Sequence, residues 1–192
     1  MINVQRYVFV SILALLFFAA GCSSPRHFAA ESLELDYVKR IVVLPFENNT
    51  ETKFAGQRFR DIVTTEILSA GLFDVVERGE SQRFLREEVV SKEQEIIDQA
   101  TALRLGQELN VEAYLAGAVN DFSERQNGSY NYPVVAATLR LVDVKTGQII
   151  WQAGDSESGY RTFDRLFGFA APDINQVGYR LARRLLSTIK GR

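Results

Sequence analysis

Cysteine, histidine, tryptophan and methionine each occur once in the 192 residues, and each scarcity closes a class of function. With His27 as the single histidine, neither a nucleophile–base pair nor a histidine-bearing metal cluster can be assembled inside a domain. Excess charge of one sign is lacking too: 22 Lys and Arg against 24 Asp and Glu leave a net charge of −2. That gives no basic surface able to neutralise phosphates, so no nucleic acid is expected as partner. No apolar run is long enough for a membrane-spanning helix, since Val8 to Ala20 falls short of the ~20 residues required. Phosphate-cradling loops are missing as well, because "FAGQRFRD" has a glycine before a helix but not the G-x-x-x-x-G-K-[ST] spacing. The expectation is a protein with no cofactor, no metal and no catalytic residues.

What is there is ordinary for a globular chain: 46% apolar and 24% charged residues, at a length that suits one domain. The first 21 residues stand apart from it. Arg6 supplies a positive start, an apolar stretch follows, and the small residues Ala19, Ala20 and Gly21 precede Cys22, which together describe a secretory signal peptide over 1–21. "AAGC" resembles the lipobox of bacterial lipoproteins. The resemblance implies that Cys22 is diacylated, that the leader is cut before it, and that the new N-terminus is acylated. More than one acyl chain makes such anchoring stable. By resemblance to enterobacterial sorting, Ser23 after the cysteine implies delivery to the outer membrane. Residues 22–39, ending in "SSPRHFAAESLELDYVK", then read as a lipidated N-terminus and tether that reaches at most about 58 Å.

Residues 40–192 read as one α/β (α+β) domain. "RIVVLPFEN" carries a continuous apolar run suited to a strand buried on both faces. Phe59, Ile62, Val63, Ile67 and Ala70 recur at helical spacing, and Gly71 stands where a left-handed helix end favours glycine. "LFDVVER" predicts a second, parallel strand after a short turn. A charged helix around Glu80 to Val89 follows, then a polar connector and a helix capped by Asp98 and running to Leu109. "AYLAGAV" predicts a strand, and "VVAATLRLVDVKTGQIIWQAG" a hairpin in which Ala137, Leu139 and Leu141 share one face while "KTGQ" turns the chain. Ile174, Val177, Leu181, Leu185 and Ile189 form one stripe of a last helix. The order β-α-β-α-α-β-β-β-α makes a mixed sheet with helices packed on it.

Acidic pairs such as Glu87/Glu88 and Glu93/Glu95 sit in settings of solvated charge, and Trp151 reads as a packed strand aromatic. Two segments stand out as contact surfaces. "YRTFDRLFGFAAP" gathers Phe163, Phe167 and Phe169 among charges, a pattern suited to an interface, to a membrane surface or to the end of a core. "RQNGSYNYP", with Tyr130 and Tyr132, reads as a hairpin tip of the kind that carries recognition. Arg180, Arg183, Arg184, Lys190 and Arg192 complement the dipole of the last helix and could also meet anionic head groups or a partner.

"RIVVLPFENNT", "IVTTEILSAGLFDVVERGE", "ALRLGQELNVEAYLAGAVNDF" and "ATLRLVDVKTGQIIWQA" occur in the order and style of the curli-secretion-channel lipoproteins, the CsgG/HfaB family. The last of them also resembles the corresponding hairpin of the LpoB-type activators of penicillin-binding proteins. The resemblance covers roughly residues 38–190 and implies a periplasmic, non-enzymatic lipoprotein that binds a protein partner or assembles into a homo-oligomeric ring for secretion or for a cell-surface structure. The curli channels insert two hairpins per subunit into the outer membrane. "SERQNGSYNYP" is too short for two membrane strands of ~9–11 residues each, so no barrel of its own is expected. LpoB-type activators span the wall on a long stalk, which the tether here does not match. Regulation of a peptidoglycan synthase is accordingly the alternative.

Overall fold

The computed structural model describes residues 26–29, 35–89 and 97–190. The leader, Cys22, the connector acids Glu93 and Glu95 and the terminal Arg192 lie outside the described residues. The elements are β1 (Arg26–Ala29), a 3-10 turn (Leu35–Tyr37), β2 (Arg40–Val43), β3 (Glu47–Asn48), α1 (Ala55–Ser69), β4 (Asp74–Val75), α2 (Arg78–Val89), α3 (Gln99–Leu109), β5 (Ala113–Asn127), β6 (Tyr130–Asp143), β7 (Ile149–Ser158), α4 (Thr162–Phe167) and α5 (Ile174–Lys190). They build the single mixed sheet with packed helices that the sequence implies, in spatial order β1-β7-β6-β5-β2-β4, with β3 pairing β5 beyond the end of β2.

β2 shows why the sheet is a middle layer. Its register is parallel to both β4 and β5. Ile41 and Val43 point into a core roofed by α1 and α5, with Phe59, Val63, Ile67, Leu139, Leu141, Trp151, Leu181 and Leu185. Val42 and Leu44 point the other way, into a second core with Phe84, Leu105, Leu109, Tyr114, Val142 and Val144 from α2, α3 and the sheet. A strand apolar on both faces needs cover on both, and the continuous run of β2 meets that need. Trp151 is fully buried, and its indole N–H donates to Thr188 Oγ1 on α5 at 3.0 Å. Contact between α3 and the sheet is close enough to demand glycine: a Cβ on Gly106 would lie 2.6 Å from Val144 Cγ2.

Local signals explain most boundaries. Gly71 ends α1 at φ 58°, and the Asp98 carboxylate caps α3 by accepting from the Thr101 N–H. The "KTGQ" turn is closed by Asp143, whose Oδ1 accepts from the N–H groups of Lys145 and Thr146 and from the Thr146 hydroxyl. Its Oδ2 accepts from the Tyr37 hydroxyl at 2.7 Å.

Three expectations change. Part of the expected tether forms β1, which pairs antiparallel to β7 from Arg26 opposite Gly154 to Ala29 opposite Trp151. His27, expected in a linker, therefore stands in a strand opposite Ala153. "LFDVVER" yields only the two-residue β4, because β4 meets only the first two residues of β2.

Candidate functional site

β5 and β6 run on past the rest of the sheet as one long hairpin. A bulge between Val119 and Asp121 resets its register, and Asn127 faces Tyr130 across a turn at Gly128, φ 66°. β7 stops at Ser158 opposite Val134, and the Gly159 N–H donates to the Pro133 carbonyl at 2.7 Å, holding the departing chain against β6. Tyr160 then meets the hairpin tip. Its ring lies edge-on to Tyr130 at 5.9 Å and to Tyr132 at 5.1 Å, while Tyr130 and Tyr132 stack at 6.3 Å. Arg165 of α4 donates to the Tyr160 hydroxyl at 3.1 Å.

Segments thirty residues apart in sequence thus become one surface. Tyr130 and Tyr132, expected as exposed recognition residues, are half-buried and brace α4. The Tyr130 hydroxyl is shut from solvent without a hydrogen-bond partner among the described residues. Burial, and then the nearby Asp164 carboxylate, push this phenol above its ordinary range and keep it neutral.

What the brace supports is a knob of uncovered apolar side chains. Phe163, Leu166 and Phe167 fall on one face of α4 at i, i+3 and i+4, and Gly168 at φ 72° ends the helix so that Phe169 follows on the same cluster. Phe163 lies 4.3 Å from Phe167 and stacks on Phe169 at 6.2 Å. No residue of α4 is buried; Phe163 is 62% exposed, Leu166 75%, Phe167 64% and Phe169 57%. These side chains do not cap the core. Each forgoes more than half of the about 1.5–3 kcal/mol that full burial supplies, and such an exposed apolar cluster is typical of a contact surface. Arg161 and Arg165 flank the knob and are themselves exposed.

One residue at this end of the sheet carried no sequence signal. Phe54 opens α1 in the left-handed region, φ 64°, and is 60% exposed. Thr52 fixes the loop before it by donating to the Phe122 carbonyl at 2.6 Å. A non-glycine residue held in that region costs of order 1–3 kcal/mol, so this phenylalanine is held outward against its backbone preference.

Elsewhere the charges are spent within the fold. Arg184 pairs with Asp155 at 2.9 Å and Glu157 at 2.8 Å, and Arg180 pairs with the same Glu157 at 3.2 Å. Arg183 bonds both oxygens of Glu66. The arginines that looked available for head groups instead tie α5 to β7 and α1. A groove of about 890 Å³ at the opposite end of the sheet is lined by Leu35, Val38, Leu72, Phe73 and Ile189, with Asp36, Lys39 and Asp74 as its charged groups. It holds no nucleophile with a base. Among the described residues no His, Cys, Asp and Glu are grouped to hold a metal ion, and no helix is long and apolar enough to cross a membrane.

The notable surface among the described residues is the uncovered aromatic knob, a feature suited to contact with a partner or a membrane. The comparisons narrow the possibilities. A sequence profile of the peptidoglycan-synthase activator LpoB matches residues 26–156, and the chain belongs to the LpoB family. This is the alternative named above; the curli-channel reading and its secretion role find no support in the match. Similar folds occur in the PelC dodecamer from Paraburkholderia phytofirmans, with 22% identity over 88% of this chain and 98% of that one, TM-score 0.61. Lipoprotein GNA1162 from Neisseria meningitidis is similar over 80% of this chain and 99% of its own, with 16% identity and TM-score 0.55. No curated protein sequence matches the chain significantly. The family match begins at β1 and ends at Ser156, so the knob lies beyond it.

Proposed function

We propose that the protein is an outer-membrane lipoprotein, acylated at Cys22 and facing the periplasm, that binds and activates a peptidoglycan synthase and has no catalytic site of its own. The LpoB match across the sheet from β1 to β7 carries this reading. The aromatic end built on Tyr130, Tyr132, Phe163, Phe167 and Phe169 supports the membrane-anchored part of this reading. The test mixes the purified protein with the bifunctional peptidoglycan synthase of the same cell and follows glycan polymerisation. Binding with faster polymerisation supports the reading, and neither binding nor acceleration refutes it.

One observation weighs against reach across the wall and leaves a second reading open, assembly into a ring at the outer membrane. With β1 in the sheet, only Ser23, Ser24 and Pro25 separate Cys22 from the folded domain, too little to carry the domain across the wall. A large closed assembly, read as the mass of the acylated protein in mild detergent, would support this alternative, and a monomer would remove it.

A further inference from the structure

We infer that the phenylalanine knob docks on the bilayer: Phe163, Leu166, Phe167 and Phe169 sit at the head-group and acyl-chain boundary of the membrane that holds Cys22. The inference rests on the acylation of Cys22 proposed above, and it assigns this docking surface a lipid occupant.

Strand polarity and chain length carry the argument. β1 is antiparallel to β7 and begins with Arg26 opposite Gly154, so the chain enters the domain from the side toward which β7 runs. From Gly154, β7 continues for four residues to Ser158, about 13 Å at strand spacing, and the knob follows within the next few residues. Four Cα steps separate Cys22 from Arg26, at most about 14 Å. That reach matches the distance to the knob end of β7. It falls short of Ile149 at the other end, about 17 Å from Gly154. Acyl chains on Cys22 therefore hold the membrane surface within a short radius of Arg26, and the knob is the uncovered apolar cluster at the end this radius favours.

The chemistry of the segment fits a lipid surface. Its apolar side chains share one face, as in helices that lie in the interface; beside them Arg165, bonded to Tyr160, and Arg161, ion-paired to Asp164 at 4.0 Å, are exposed and can still reach the head groups of the boundary. Phe54 adds an outward apolar side chain at the same end of the sheet.

Acylated full-length protein, extracted from membranes, is reconstituted into phosphatidylethanolamine–phosphatidylglycerol vesicles with and without brominated acyl chains. Intact mass reads acylation independently of docking. Phe167→Trp places a fluorophore on the knob and Leu68→Trp places one beside the groove at the opposite end, each read above the buried Trp151 background. The expected result is emission from Phe167→Trp that is blue-shifted in vesicles and quenched by bromine, with Leu68→Trp unchanged. An acylated protein in which Phe167→Trp escapes quenching, or in which Leu68→Trp is quenched in its place, overturns the inference and leaves the anchor standing. A free thiol at Cys22 overturns the anchor and the inference together, while the polymerisation assay still judges the synthase reading. Should Phe167→Trp fail to fold by circular dichroism, Phe163→Trp gives the same readout.

Discussion

The two ends of the β5–β6–β7 sheet are built from the same antiparallel ladder yet close in opposite ways. At the "KTGQ" end, one carboxylate takes hydrogen bonds from Tyr37, Lys145 and Thr146, and Asp143 is buried beneath them. At the hairpin end, three tyrosines pack on each other and leave a row of phenylalanines uncovered. The first end satisfies its own groups and needs nothing from outside. The second leaves large apolar side chains in solvent, and that difference marks the hairpin end as the place to look for a contact.

The comparison can be broken by substitution, beginning with a reference from the core. Trp151→Ala, which empties a fully buried site and removes the indole donor to Thr188, whose hydroxyl keeps its bond to the Leu185 carbonyl, should cost about 3–5 kcal/mol, read from urea unfolding. Asp143→Ala should cost about 2–3 kcal/mol by the same measurement, because it leaves four donors without their acceptor.

Acid unfolding sharpens the same end. Burial alone would raise the Asp143 carboxyl, but the hydrogen bonds from Tyr37, Thr146 and Lys145 outweigh it and hold the group below its ordinary value. A lowered folded-state value means that this stabilisation is fully present above the unfolded value near pH 4 and is lost as the pH falls through the folded one. Tyr37→Phe removes one donor and should move the acid transition to higher pH, and Asp143→Asn should flatten this part of the profile. Burial, then the bond to Asp143, raise the Tyr37 phenol above its ordinary range, so its contribution is intact below about pH 10 and is lost only above that.

The smallest effect on stability belongs to the knob. Phe163→Ser with Phe167→Ser should change unfolding by no more than about 0.5 kcal/mol, since neither side chain is buried, while weakening the docking of the domain on vesicles. A loss on the scale of Trp151→Ala would place these residues in the core and erase the contrast between the two ends.

Much of this architecture is legible in local sequence, because it rests on local chemistry. The double-faced run of β2, the glycine after α1, the Asp98 cap, the "KTGQ" hairpin and the stripe of α5 are decided by residues within a few positions of each other. β1 is different: "RHFA" has no apolar alternation, and the strand exists through main-chain pairing with β7, more than a hundred residues away. Arg180 and Arg184 read as complements of the helix dipole until the helix is laid on β7, where Asp155 and Glu157 face them. Tyr130 and Tyr132 were legible as a tip, and Phe163 to Phe169 as an aromatic cluster. Their junction through Tyr160 depends on hairpin register, which composition does not encode.

The pairing of β1 with β7 has a mechanical side. Tension on the N-terminus directed toward the hairpin end pulls along the axis of β1, so the four paired residues share the load in shear instead of peeling apart one bond at a time. Under the acylation proposed for Cys22, the domain would be gripped in its strong direction, and pull from the side would be the way to tear it loose.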